Sequence, residues 1–131
     1  LRLVEEPLPP PAAGEARVRV HAVGLNFADA FACLGLYSAT PQGSFVPGLE
    51  CAGVVEELGP PVAGRRAPAV GDRVVINPMA VPDDIIGNGG STGALADYLL
   101  VKDAVRGHSI EVIPDYVPYK VAALNEPMAV A

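Results

Sequence analysis

The stretch Ala16-Arg17-Val18-Arg19-Val20-His21-Ala22-Val23 decides the fold class. Its arginines and histidine fall on odd positions, and the apolar residues between them fall on even positions. A period of two is typical of an antiparallel strand with one face on the core and the other in water. Four further segments predict strands between Gly and Pro turn residues, at 51–58, 73–77, 94–101 and 109–113.

Composition supports a mostly β domain of one folding unit. The 131 residues include 14 glycines and 14 prolines but only four tyrosines, three phenylalanines and no tryptophan. Many turns and a core of small aliphatic side chains suit an antiparallel sheet better than a helical bundle. One or two short helices are expected beside the strands, the first beginning near Phe27 and the second at 119–125.

The first helix has capping signals at both ends. Asn26 is a favoured N-cap residue, Asp29 stands three residues later as in a capping box, and Gly35 is placed to end the helix. Helical spacing predicts a buried face made of Phe27, Ala30, Phe31 and Leu34. Asn26 and Asp29 therefore have a purely structural interpretation, alongside any role in a site.

Charge and hydropathy exclude several classes of partner. The net charge of −6 argues against nucleic acid or an anionic membrane as a partner. The sequence shows no signal peptide and no apolar run long enough to span a bilayer, so we expect a cytoplasmic protein. Cys33 and Cys51 have no metal or disulfide spacing, and we expect them to behave as small buried hydrophobic residues.

Two other features attract attention as site candidates. Glu50 lies among apolar neighbours at a strand start, and a buried carboxylate needs a partner, so it either pairs with an arginine or lines a site. The glycine cluster at 87–93 could suggest phosphate binding, but a strand-like segment follows it and no lysine completes a P-loop. We interpret the cluster as a flexible connection.

Three motifs carry a family resemblance: Gly24-Leu25-Asn26-Phe27-Ala28-Asp29, then Leu34-Gly35-Leu36-Tyr37, then Pro47-Gly48-Leu49-Glu50-Cys51-Ala52-Gly53. They resemble the N-terminal catalytic domain of the medium-chain dehydrogenase/reductase superfamily, in its zinc-free quinone oxidoreductase branch. The resemblance implies a GroES-like, partly open antiparallel β-barrel. From Asn77-Pro78-Met79 through 86–90 to Glu126-Pro127, the chain is more similar to zinc alcohol or polyol dehydrogenases.

The resemblance implies a degenerate metal site. Asn26 stands where the zinc branch has a cysteine, and Leu49 stands where it has a histidine. Glu50 and Glu126 are the residual carboxylates, and two carboxylates without soft or imidazole ligands make a poor zinc site. We therefore expect no zinc.

The same resemblance implies the catalytic and cofactor-binding residues. Asn26 and Tyr37 would face the nicotinamide or the substrate. Asp29 is predicted as a third catalytic residue. NADPH or NADH would be bound by a Rossmann domain that residues 1–131 lack. The chain resembles a catalytic domain cut at both ends, with 1–7 similar to the family's second strand and 122–131 similar to the crossover before the Rossmann domain. We expect the chain alone to be inactive.

Three functions stay open on sequence alone. The first is a zinc-free NAD(P)H-dependent reductase of quinones, enones or related small carbonyl compounds. The second is an alcohol or polyol dehydrogenase domain whose metal site has degenerated, and the third is a non-enzymatic or engineered GroES-like module. A homodimer is compatible with each of them.

Overall fold

A single antiparallel sheet organises the molecule. The computed structural model describes residues 1–37, 40, 43–82, 85–89 and 92–130, and the side chain of residue 130 is outside that description. The five strands lie in the order β4-β1-β2-β3-β5. Their bounds are β1 Ala16–Gly24, β2 Glu50–Leu58, β3 Arg73–Ile76, β4 Tyr98–Val101 and β5 Ile110–Val112. The sheet is not closed, which confirms the predicted mostly β, partly open fold.

The buried apolar residues form two clusters, a larger one on the Val18 face of the sheet and a smaller one around Ala52, Ala122 and Ala123. In β1, Val18 is fully buried while Arg19 is exposed, as the alternating pattern predicts. Val18 lies opposite Val55 in the β1–β2 pair. The core cluster is aliphatic, and its largest members are Ile76, Ile86, Leu99 and Ile110. The shortage of aromatic residues therefore does not prevent a continuous core.

The strand predicted at 94–101 is present only in its second half, Tyr98–Val101. The backbone N–H groups of residues 94 and 95 make their hydrogen bonds with a loop and not with a neighbouring strand. The Ala94 N–H donates to the Gly48 carbonyl at 2.9 Å, and the Leu95 N–H donates to the Pro47 carbonyl at 2.9 Å. A backbone donor engaged with a loop is not available to a ladder.

The N-terminal residues also differ from expectation. The resemblance implied a strand at 1–7, but residues 1–15 contain no strand and residues 1–10 are exposed. Prolines at 7, 9, 10 and 11 cannot donate to a ladder, and 1–6 have no partner strand in the part of the chain that the structure describes.

Three short helices complete the fold: α1 Phe27–Cys33, α2 Tyr119–Ala122 and α3 Asn125–Val130. The start of α1 is confirmed. Its predicted buried face is wrong, since Phe27 is 84% exposed and Leu34 is 69% exposed. Asp29 and Ala32 are the buried residues of α1. At the C-terminus, two helices replace the one predicted at 119–125. Within the described residues, no helix combines the length and apolar character needed to cross a membrane.

Arg73 fastens α2 and the preceding loop to the sheet. Its guanidinium donates to the carbonyls of Pro114, Asp115 and Val117 at 2.9, 2.7 and 2.7 Å. The same group lies 4.3 Å from the centroid of the Tyr119 ring, a cation–π contact. The planar guanidinium presents five N–H donors in a fixed fork and stacks on the aromatic ring, and the ammonium of a lysine reproduces this arrangement only in part.

We expect Arg73→Lys to lower the free energy of unfolding by about 1 kcal/mol, because part of the charged donor set is lost from two exposed carbonyls and one half-buried carbonyl, together with the contact on the Tyr119 ring. Urea denaturation monitored by circular dichroism measures this. Arg66→Lys, in an exposed loop, is the matched control and should change stability by less than about 0.5 kcal/mol. Equal effects of the two substitutions would contradict the fastening role of Arg73.

Candidate functional site

Asp29 fixes the start of α1 against the loop before β2. Its Oδ2 accepts the backbone N–H of Asn26 at 2.8 Å, and its Oδ1 accepts the N–H of Gly48 at 3.0 Å. The half of the predicted capping box in which Asp29 accepts the Asn26 N–H is present, and the Asp29 N–H donates to the Asn26 backbone carbonyl at 3.1 Å. Because Asp29 is 5% exposed and both carboxylate oxygens bind backbone, it anchors α1 with its polar side toward the protein. This anchoring explains why the apolar face of α1 points to solvent.

Glu50 brings together two residues that are far apart in sequence. Its Oε1 accepts a hydrogen bond from Asn26 Nδ2 at 3.0 Å, and its Oε2 accepts the backbone N–H of Glu126 at 3.0 Å. Glu50 is only 1% exposed. The alternative of an arginine partner is not found among the described residues, where an amide and a backbone N–H are the partners of Glu50.

Gly24 gives Glu50 its space. A Cβ atom at position 24 would lie 2.2 Å from Glu50 Oε1 and 2.7 Å from the Ala123 carbonyl oxygen. No real side chain tolerates such distances, so the end of β1 must be glycine for the carboxylate and the segment after α2 to meet there. Gly24 belongs to a family motif in the sequence, but the sequence does not show that Glu50 and residue 123 approach it so closely.

The network shifts two acid–base equilibria. Burial is the largest cause that raises the pKa of the Glu50 carboxyl, and the nearby charges of Glu126 and Asp29 add to it, while the bonds from Asn26 and Glu126 oppose it. Burial, and then the Glu50 charge, raises the pKa of the Cys51 thiol to about 12. Cys51 is therefore a buried thiol with no thiolate character, as expected, whereas the expectation of burial is wrong for Cys33, which is exposed.

The other predicted site residues lie at or beyond the edge of this network. Tyr37 follows α1 and is 39% exposed. Within the described residues, no hydrogen bond joins its side chain to Asn26 or Glu50. Leu49 is half-buried beside Glu50 and offers no ligand atom. Within the described residues, no three His, Cys, Asp or Glu side chains are grouped closely enough to hold a metal ion.

The described residues of the glycine cluster, 87–89, 92 and 93, are buried or half-buried, which does not fit their interpretation as a flexible connection. Its residues 90 and 91 lie outside the described residues, whereas Gly87, Asn88 and Gly93 are buried. A Cβ at Gly87 would lie 2.2 Å from the Gly48 carbonyl oxygen, and one at Gly93 would lie 1.9 Å from that of Val46. The glycines thus allow two backbones to touch, and through Gly48 they support Asp29.

Two surface concavities lie apart from this network. An open groove of about 450 Å³ is lined by Arg19, Val20, His21, Asp97 and Tyr98. An apolar cleft of about 280 Å³ lies between the 58–68 loop and residues 14, 15 and 104. Neither is lined by Asn26 or Glu50.

Comparison with known proteins identifies the family. The model of the alcohol dehydrogenase GroES-like domain matches residues 12–111. The chain belongs to this family. The match includes α1, Glu50, strands β1 to β4 and the first two residues of β5, so the GroES-like domain holds most of the candidate site, with Glu126 beyond the matched range.

Relatives come from several branches of the medium-chain dehydrogenase/reductase superfamily. The human synaptic vesicle membrane protein VAT-1 homolog-like is 44% identical over 75 residues, 57% of this chain and 17% of its own length. An NAD-dependent alcohol dehydrogenase structure matches with a TM-score of 0.69 and 28% identity, covering 88% of this chain and 36% of its own.

Two mycobacterial structures, each 33% identical, cover 93% of this chain and 32% of their own. One is a quinone oxidoreductase with a TM-score of 0.67, and the other is complexed with NADPH and has a TM-score of 0.68. The chain therefore spans about a third of these structures and about a sixth of the VAT-1 relative.

We expect the buried Glu50 to make this GroES-like domain less stable as pH rises. A carboxyl whose pKa is raised by folding binds its proton more tightly in the folded state, so its contribution is full below the unfolded value near 4.5 and is lost as pH rises through the folded value. The difference in unfolding free energy between wild type and Glu50→Gln should therefore fall from pH 4 to pH 8. Urea titrations at each pH measure it.

Glu56→Gln is the matched control, because Glu56 lies on the same strand and is exposed. It removes a carboxylate without relieving burial. A wild-type minus Glu50→Gln difference that rises with pH would contradict the expected sign.

Proposed function

We propose that this domain is the catalytic half of a zinc-free, NAD(P)H-dependent oxidoreductase that reduces quinones, enones or related small carbonyl compounds. The observation that carries the proposal is the Asn26 amide, held at 3.0 Å by the buried Glu50 carboxylate. By family resemblance, that amide stands at a zinc-ligand position. An amide nitrogen and the apolar Leu49 are not zinc ligands, and both Glu50 oxygens already accept N–H donors.

The donor set fits a reduced nicotinamide and a carbonyl acceptor. When bound, the cofactor supplies a hydride. The Asn26 amide and the Tyr37 hydroxyl are the donors we assign to orienting the carboxamide of the cofactor or the substrate oxygen, where negative charge builds during reduction. Asp29 is assigned a positioning role, since its oxygens hold the backbone of Asn26 and Gly48.

The cofactor domain belongs to the proposal as a separate unit. The described sheet is antiparallel throughout, and dinucleotides are ordinarily held on a glycine-rich turn between a strand and a helix N-terminus. The mycobacterial relative with NADPH supports NADPH as the reductant. Two free cysteines and a net charge of −6 suit a cytoplasmic enzyme acting on a small molecule.

An alcohol or polyol dehydrogenase is the second candidate. Its support is the placement of Glu126 beside Glu50 and the similarity to the NAD-dependent alcohol dehydrogenase structure. In that case Glu126 would supply a metal ligand.

Activity is tested by joining the chain to the nucleotide-binding domain of the mycobacterial quinone oxidoreductase and following NADPH oxidation at 340 nm with a quinone. We expect turnover by the joined protein and none by the 131 residues alone. Asn26→Ala should lower kcat about a hundredfold, as loss of one preorganised donor does, and Tyr37→Phe should lower it less. Tyr116→Phe, on an exposed tyrosine, is the control. Full activity in Asn26→Ala would refute the role of the amide.

Metal content separates the two candidates. We expect elemental analysis of protein purified with added zinc to give far less than one zinc per chain, because a tetrahedral site needs three protein ligands. Stoichiometric zinc that is lost in Glu126→Gln and retained in Glu111→Gln would instead support the dehydrogenase. Glu111 is an exposed carboxylate on β5 and serves as the matched control.

A further inference from the structure

We propose that Glu50 is a positioning residue that fixes which way the Asn26 side-chain amide faces, and thereby aims the second Asn26 N–H at the ligand. The catalytic part of this inference rests on the proposed function. The structural part, that the Glu50 carboxylate sets the orientation of the Asn26 amide, is testable without measuring enzyme activity.

The chemistry of the pair decides the orientation. An ionised carboxylate only accepts hydrogen bonds, so the atom that Asn26 presents to Glu50 Oε1 must be Nδ2 and not Oδ1. The amide is planar and carries two N–H bonds. Once one N–H is committed to Glu50, the directions of the other N–H and of Oδ1 are both set.

Glu50 itself has no freedom to move. Its Oε2 is held by the Glu126 N–H, and the backbone of Gly24 lies so close to Oε1 that a Cβ there would overlap it. Glu50 begins β2, which is paired with β1 on one side and β3 on the other. An orienting group held this firmly transmits its geometry to Asn26.

The acceptor at Glu50 Oε1 decides which atom of the Asn26 amide faces it. A donor in place of that acceptor would face Asn26 Nδ2, and the amide would then gain by turning over.

Glu50→Gln reproduces that change permanently. A glutamine that keeps its oxygen on the Glu126 N–H presents its Nε2 to Asn26, so Asn26 must turn Oδ1 toward it to keep a hydrogen bond. The substitution removes a buried charge and preserves volume. It therefore changes the direction of the Asn26 N–H without creating a cavity.

Nuclear magnetic resonance of the 131-residue chain tests the structural part. In wild type we expect one of the two Asn26 side-chain N–H protons to lie close to the Glu50 side chain. Glu50→Gln should shift both Asn26 side-chain N–H resonances and remove that proximity, and Glu56→Gln should leave both unchanged. Asn26 resonances that are the same in wild type and Glu50→Gln would overturn the inference, whatever the enzyme does.

Kinetics of the joined reductase test the catalytic part. Glu50→Gln should lower kcat roughly tenfold to a hundredfold with little change in KM, and Glu56→Gln should leave both constants unchanged. An unchanged kcat, in a variant whose Asn26 signals have shifted, would overturn the positioning role. An inactive wild type would reject the proposed function. The Asn26 resonances would still show whether the Glu50 carboxylate sets the orientation of the Asn26 side-chain amide.

Discussion

A buried carboxylate at the first residue of β2 is the contact on which the candidate site depends. Through Glu50, α1 and α3 are tied to the middle of the sheet, over 24 residues in one direction and 76 in the other. Burying an ionised carboxylate is costly, and two hydrogen bonds only partly offset the cost, as the raised pKa of Glu50 shows. An apolar residue would fill the same space without that cost. The carboxylate makes sense where its hydrogen-bonding direction is used, which is at Asn26.

A second carboxylate sets the rotation of α1. Helical periodicity would turn Phe27, Phe31 and Leu34 toward the core, but Asp29 must reach the N–H groups of Asn26 and Gly48. A helix of seven residues cannot satisfy both demands, and a buried unpaired N–H at Gly48 would cost about 1–3 kcal/mol. The hydrogen bonds of Asp29 therefore determine which side of α1 faces the protein. Two phenyl rings, with centroids 6.4 Å apart, consequently lie together on the outer side of α1.

Local patterns in the sequence predict local structure well. The alternation around Val18 gives β1, and the spacing of Asn26 and Asp29 gives the start of α1 and the Asp29 half of its capping box. What the sequence does not show is which distant backbones meet. The carbonyls of Pro47 and Gly48 accept hydrogen bonds from residues 95 and 94, and this shortens β4. No sequence pattern in either segment predicts that the two segments meet. Glu50 was identifiable as a buried carboxylate, but its partners are an amide and a backbone N–H, which no charge pattern reveals.

The electrostatics of the proposed reaction favour more than one donor. A substrate oxygen bonded to the second N–H of Asn26 would lie about 5 Å from Glu50 Oε1, because the two N–H bonds of an amide diverge by about 120°. The Glu50 charge opposes negative charge on that oxygen, although the N–H donors of Asn26 and Glu126 offset part of it. A preorganised donor contributes about 3–4 kcal/mol, so Asn26 keeps part of its effect in the presence of the residue that orients it. A second donor without a carboxylate behind it would supply the rest, and Tyr37, which no hydrogen bond of the described structure joins to Glu50, meets that requirement in the proposed enzyme.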